Sequence, residues 1–525
     1  MSASNPTSES ASDAGQATAR EAGRGGLAIA VAKVSFILVG FVQQLVFPRI
    51  LDEAGYGAVS RMLAVVSILN NVIVATSLQG VSRMVAAAQP GAQAATIRAT
   101  LRVHTVVALV ASITFALLAG SIANWVEAPR AATPLRVAAG VVLCYGVYAP
   151  LVGSLNGRRR FVDQAGLDIF YGVSRTIAMT TTAYVFARFL GGDGALGAAI
   201  GFVASAALIV PIAVTRSGLG SKGPGGPDTR EYLTFLLPVF VAQAGINLLL
   251  QADLLLLSNA AGKYARLMGL DDKEADKLLG PYRAAQLFGF LPYQLLMSVQ
   301  FVLFPLLAKA HADGDPAQVR NLTKSGLRTA FVLTGLFAAS IASIAPFLLR
   351  FAFPEPIAMG AVPFARFYVL GLASLAILGV ASSALASLRR ERLSMILTWC
   401  ATGAVVAAIL LTRKSDSFGP ELLRSTAYAT AGAMVVAGVA GCVLLRYAAG
   451  AFVSTASLVR VLVAVAVTVT AGSFLPWMGK LLVPVLGVAM AALYMIVLIA
   501  LGELTKADLA MVRNVLGRGK KPKAA

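Results

Sequence analysis

Among the ionisable side chains inside long apolar runs, Lys33, Arg61, Arg175 and Asp253 are the informative ones. A charge at membrane depth is costly unless it is paired or wet, so such residues mark substrate or ion pathways or internal ion pairs. Arg175 stands near the middle of the run 166–187, too deep to reach an interface easily. Lys33 lies one to two turns into the run 27–48. Arg61 lies one turn inside the outer end of 57–80, and Asp253 one turn inside the outer end of 232–257. For those three, a long side chain or a short climb to the interface explains the charge as well as a cavity does. Amides accompany them: Gln43, Gln44, Asn70, Asn71, Asn247, Gln251, Gln286, Gln294 and Gln300. Amides in spans can serve as interhelical glue. Their concentration in the first two runs of each half of the chain points instead to a polar cleft.

The elements that must position these residues are membrane spans. Of 525 residues, 58% are hydrophobic and 13% charged, and the mean hydropathy is +0.77, outside the range of soluble globular chains. Fourteen apolar runs are each long enough to cross a hydrocarbon core of ~30 Å as a helix. The stretch from Tyr56 to Arg102 occurs twice. In one ungapped register Tyr56 falls on Tyr282, Arg83 on Lys309, Pro90 on Pro316, Arg98 on Lys324 and Arg102 on Arg328. A fixed-offset repeat in an apolar chain points to a transporter built from two similar bundles.

The expected fold is therefore an all-α polytopic membrane protein of about 14 transmembrane helices, in two parallel six-helix bundles plus two C-terminal helices. The expected divisions are a disordered tail 1–26, a first bundle 27–216, a linker 217–231 and a second bundle 232–447. Helices 13–14 follow over 448–502, then a basic tail 503–525. The net charge is +20, and most of the Lys and Arg fall on the side that carries both termini, including the turns Arg158–Arg160 and Arg389–Arg392. That bias places both termini in the cytoplasm and assigns the charge to lipid and topology signals, with no nucleic acid as partner. Pro238, Pro292 and Pro305 are expected to break second-half helices. A short outer helix is expected over 271–279, with Asp271 and Glu274 spaced as in a capping box, and an amphipathic helix over 504–516.

Other chemistry is excluded residue by residue. No G-x-x-x-x-G-K-[ST] sequence is present. Gly218-Leu-Gly220-Ser-Lys-Gly223 fits G-x-G-x-x-G but follows a span and not a strand, so it is no dinucleotide site. Cys144, Cys400 and Cys442 all lie in apolar runs and give neither a disulfide framework nor a metal site. His104 and His311 read as structural. No catalytic residue, metal or cofactor is assigned, and the chain is not expected to be an enzyme.

Phe47-Pro-Arg-Ile-Leu51, Tyr56-Gly57 and Leu504-Thr-Lys-Ala-Asp-Leu509 resemble bacterial polysaccharide-biosynthesis flippases, relatives of the lipid II flippases and of the multidrug and toxin extrusion transporters. The resemblance implies a V-shaped pair of bundles, alternating access and a cationic cavity for the diphosphate of an undecaprenyl-linked oligosaccharide. It also implies the bacterial inner (cytoplasmic) membrane as location. The partners it implies are the lipid bilayer, a lipid-linked anionic glycan and a coupling ion, H+ or Na+. A cavity with Lys33, Arg61 and Arg175 suits a diphosphate, because cations in a low dielectric attract it strongly. The expected substrate-binding set is Lys33, Arg61, Arg175, Asn70, Asn71, Gln44, Asn247 and Gln251, with Asp253 as a coupling or ion-pair candidate. Two alternatives stand beside this one. An ion-coupled multidrug exporter should carry several buried carboxylates in its spans, and a membrane-embedded glycan polymerase or ligase should carry a sizeable outer domain.

Overall fold

The computed structural model describes residues 8–504 apart from 90, 224 and 414–417. Within them the chain forms seventeen α-helices and two short 3-10 turns. By contact density it divides into two compact units, Met1–Gly280 and Pro281–Ala525.

The first unit holds α1 (Ser8–Ile50), α2 (Glu53–Ala87), α3 (Gln93–Trp125), α4 (Ala132–Gly157), α5 (Phe161–Phe189), α6 (Gly194–Ser217), α7 (Thr229–Leu249) and α8 (Ala252–Leu267). It also holds the first half of α9 (Asp272–Gly289). Helix starts follow side-chain capping. Asp52, Asp193 and Asp228 each accept a hydrogen bond from an otherwise orphaned N–H of α2, α6 and α7, the ordinary role of Asp before a helix. α4 is the centre of this unit and packs against α2, α3 and α6. It can do so because it is rich in small residues: a Cβ on Gly146 would fall 2.0 Å from that of Ala108. α1 is held mainly by α5.

The linker runs against α3, where Ser221 N–H donates to the Ala94 carbonyl at 3.2 Å. α7 then packs on α2. α1 begins at Ser8, within the stretch expected to be disordered, and runs unbroken into the span. Residues 8–26 contain five Ala and no Pro, so no proline stops the span's helix from extending backwards.

The second unit holds the rest of α9, then α10 (Leu291–Ala312), α11 (Pro316–Ser343), α12 (Ala345–Ala352), α13 (Glu355–Ser387), α14 (Glu391–Thr412), α15 (Pro420–Ala449), α16 (Thr455–Ser473) and α17 (Val483–Ala500). Here α13 is central, against α15, α10 and α11. The repeat reappears as matching elements. Arg83 and Lys309 close to the ends of α2 and α10 precede the starts of α3 and α11, and Tyr56 and Tyr282 are both fully buried.

All fourteen apolar runs fall on helices, and among the described residues twelve helices are long and apolar enough to cross a membrane. α5 and the α9–α10 pair are not among the twelve. α5 carries Asp168 and Arg175 together with several hydroxyls, which lower its hydropathy. The run 232–257 is not one helix but two, parted at Leu250 and Gln251. The repeat's second copy is parted at Phe290, just before Pro292 in the first turn of α10, where a missing N–H costs nothing. Pro238 and Pro305 stay inside α7 and α10. The short outer helix begins as expected, with Glu274 N–H donating to the Asp271 carbonyl, but α9 continues to Gly289. The amphipathic stretch 504–516 lies, from 505 onward, outside the described residues.

Candidate functional site

α1 and α5 lie side by side and run in the same sense, and their contacts climb together. Lys33 is the cation whose charge acts on Asp168. A Cβ on Gly172 would fall 3.2 Å from the Phe36 ring. Gly40 faces a terminal guanidinium nitrogen of Arg175. Thr176 Oγ1 donates to Gln43 Oε1 at 3.1 Å, and Gln43 Nε2 to Met179 Sδ at 3.3 Å. Lys33, Phe36, Gly40 and Gln43 are spaced by three or four residues, which puts them on one face of α1.

Arg175 is the chemical centre of this seam. Its guanidinium carbon lies 4.9 Å from the centroid of Phe36, 5.8 Å from Tyr171 and 6.0 Å from Phe202 on α6. Its Nε is buried and has no hydrogen-bond partner, and among the described residues no carboxylate pairs with it. Cation–π contacts contribute ~0.5–2 kcal/mol, well short of what an anion would add. The guanidinium is thus held in place by rings, with a buried Nε that has no partner. A Cβ on Gly40 would lie 3.8 Å from that guanidinium, an ordinary contact.

Below Arg175, Tyr145, Tyr148 and Tyr171 pack edge-on and tilted, with centroids 5.1–6.1 Å apart. Tyr148 O–H donates to Asp168 Oδ1 at 3.4 Å. Asp168, Tyr148 and the Tyr145–Tyr171 pair were not in the expected set. Asp168 sits seven residues from Arg175 on the same helix, but its partners come from α1 and α4, which no local spacing discloses.

The other expected residues lie elsewhere in the first unit. Arg61 is 3% exposed and forms an ion pair with Asp276 of α9, and its Nε donates to Ser258 Oγ at 2.7 Å. Ser258 in turn donates to the Val126 carbonyl, Arg266 pairs with Glu127, and Arg130 reaches Asp271 at 3.3 Å. A Cβ on Gly57 would fall 1.9 Å from the Asp276 carbonyl oxygen, so the α8–α9 segment is drawn tightly onto α2 and α3. Burial pushes the Asp276 carboxyl up to about 6 despite the Arg61 charge. Gln44 accepts from Tyr56 O–H at 3.2 Å. Asn70 is buried with Oδ1 unpartnered, and Asn71 beside it is exposed. Asn247 Nδ2 donates to the Gln243 carbonyl within α7. Gln251 stands at the α7–α8 break with Oε1 unpartnered, and Asp253, 2% exposed, accepts from Leu254 N–H in the first turn of α8. The structure thus brings Lys33 and Arg175 onto one seam, with Arg61, Asn70, Asn71, Asn247, Gln251 and Asp253 on α2 and α7–α8.

In the second unit the notable cluster is around Glu503. Arg328 Nε donates to its Oε1 at 2.8 Å, Ser457 Oγ donates to the same oxygen, and Arg460 approaches Oε2 at 3.4 Å. Burial pushes this carboxyl up, but the bonds from Ser457 and Arg328 outweigh it and hold it below the usual range. The cluster ties α11 and α16 to the end of α17. His104 is satisfied on both ring nitrogens, by Ser77 and Tyr232. Among the described residues no group of His, Cys, Asp and Glu could hold a metal ion.

Solved structures share this architecture. The lipid II flippase MurJ in an inward closed conformation superposes with TM-score 0.69 over 93% of this chain and 99% of that one, at 13% identity. An inward-facing multidrug resistance MATE family transporter of the MOP superfamily gives 0.62 over 80% and 98%, at 15% identity. A MOP superfamily transporter from Pyrococcus furiosus, described as having a binding pocket of reverse polarity, gives 0.59 over 81% and 95%, at 15% identity. At such identities the likeness is one of fold, shared with MurJ and with the MATE family transporter. The sequence adds the family. Residues 22–311 match the family described as polysaccharide biosynthesis protein, and the chain, matched over more than half its length, belongs to it. Phe47–Leu51 and Tyr56–Gly57 lie inside the matched residues, and Leu504–Leu509 outside them. No curated protein matches the chain in sequence.

Proposed function

We propose that this multi-pass membrane protein is an inner-membrane flippase, which translocates an undecaprenyl-diphosphate-linked oligosaccharide for surface polysaccharide synthesis by alternating access. The observation that carries the reading is Arg175, a guanidinium near mid-span, aligned by three rings and without a carboxylate partner among the described residues. A planar fork of this kind takes a diphosphate in bidentate fashion. Lys33 lies on the same face of α1, toward the cytoplasmic end, and adds a second cation on the path from the inner leaflet. Asp253, buried at the start of α8, is the candidate for a coupling ion, H+ or Na+. The partners are the bilayer and the lipid-linked glycan, and transport requires no chemical step by the protein. A cation exporter would need free carboxylates in its spans, whereas Asp168 accepts from Tyr148.

Cells lacking the protein are expected to accumulate lipid-linked intermediates on the cytoplasmic leaflet and to lose one surface polysaccharide. A deletion that leaves every surface glycan unchanged but sensitises cells to cationic drugs would favour the exporter. The orientation is tested separately. Accessible tags at Lys222 and after Ala525 are expected to report the cytoplasm, and one at Asp272 the outside, because the basic loops lie on the side of the termini. A cytoplasmic signal from position 272 would contradict that arrangement.

A further inference from the structure

The first unit contains a lined space away from the α1–α5 seam. A cavity of about 390 Å³ opens between α2, α3 and α7, within the ~300–1,000 Å³ range of small-ligand sites. Its walls are apolar, with Ile73, Val107, Leu236 and Phe240 among them, and its rim at Leu237 is 62% exposed. Four polar side chains also line it, and three are spent. Ser77 and His104 bond each other at 2.9 Å, His104 continues to Tyr232 at 2.7 Å, and Thr234 donates to the Arg230 carbonyl. Thr76 differs: it is 5% exposed and its Oγ1 has no partner. A buried hydroxyl is normally satisfied, so this one points to an acceptor brought by a ligand.

One cation, Arg83, lies against the α7 wall of the cavity. The Arg83 guanidinium lies 4.6 Å over the ring of Phe235, between the cavity residues Thr234 and Leu236, so it reaches from α2 across to α7. Arg230, exposed, stands three residues before the cavity residue Leu233 on α7. Two acids stand at the start of α7. Asp228 caps that helix by accepting from Glu231 N–H, and Glu231 is exposed. Thr76 and Arg83 are seven residues apart on one face of α2, ~10 Å along its axis.

From this charge and spacing we infer that the groove binds an anionic glycerophospholipid of the cytoplasmic leaflet. Its phosphate sits on Arg83, an ester carbonyl accepts from Thr76 O–H, and an acyl chain lies along the apolar wall. Basic pockets between spanning helices at the cytoplasmic side favour such head groups. A polyprenyl diphosphate lacks an acceptor below its phosphates and would leave Thr76 unsatisfied, which separates this site from the one proposed for the transported substrate.

The test uses the full chain in nanodiscs of phosphatidylcholine, with acyl-brominated phosphatidylglycerol or acyl-brominated phosphatidylcholine added at equal fraction. The fluorescence contributed by Leu237→Trp, taken as the difference from the unsubstituted protein, is expected to be quenched severalfold more efficiently by the anionic lipid. Arg83→Gln and Thr76→Val, each added separately, are expected to reduce that preference severalfold. Equal quenching by the two lipids would overturn the assignment, as would a preference unchanged by both substitutions. Displacement of the anionic phospholipid by undecaprenyl phosphate at a lower concentration would overturn it too, by giving the groove to the polyprenyl chain.

Discussion

Arg175→Ala is expected to abolish appearance of the glycan at the surface while the protein remains in the membrane at normal abundance. The guanidinium contributes little to holding α1, α5 and α6 together, because its described contacts are ring faces worth ~0.5–2 kcal/mol. Its loss therefore falls on whatever anion it receives. Arg175→Lys is expected to keep a minority of activity, since an ammonium retains the charge but not the planar fork that matches two phosphate oxygens. Abundance and surface glycan, measured together for both variants, separate this role from a structural one. A structural role predicts low abundance for Arg175→Ala, and full activity in that variant would remove Arg175 from the mechanism.

Asp276→Leu is expected to behave in the opposite way. Arg61 is 3% exposed and faces Asp276, so removing the carboxylate leaves a buried cation without its counter-charge, at a cost of ~3–5 kcal/mol. Membrane abundance and the melting temperature of the solubilised protein are both expected to fall. Adding Arg61→Met should restore them, because a well-packed apolar pair is often as stable as a buried ion pair. Normal abundance in Asp276→Leu with lost transport would instead return Arg61 to the substrate path.

What the sequence discloses and what it hides differ in range. The repeat is legible because Tyr56, Arg83 and Arg102 and their counterparts Tyr282, Lys309 and Arg328 are fixed in one register, and apolar length alone sets where spans can lie. Arg175 is legible because a lone cation midway along an apolar run has few explanations. Arg61 is not, because its partner stands 215 residues away in a loop whose four acids read as solvated charge. The break at Leu250–Gln251 is hidden inside Leu248-Leu-Leu-Gln-Ala-Asp-Leu254, which is apolar enough to pass for a continuous span. Asp168 escapes for the same reason as Arg61: Tyr148, which donates to it, stands on another helix. Depth can be counted along the chain, but cross-helix pairing cannot.

The central claim is that a lipid-linked anionic glycan crosses the bilayer through this protein with Arg175 on its diphosphate. It is tested most directly in vesicles reconstituted with the purified chain and a labelled undecaprenyl-diphosphate oligosaccharide. Accessibility of the sugar to an externally added glycosidase is followed over time. The account predicts that the protein exchanges the glycan between leaflets much faster than protein-free vesicles do, and that Arg175→Ala reduces exchange to the protein-free rate. Exchange no faster than in protein-free vesicles, under conditions where the same preparation moves a cationic drug, would contradict it.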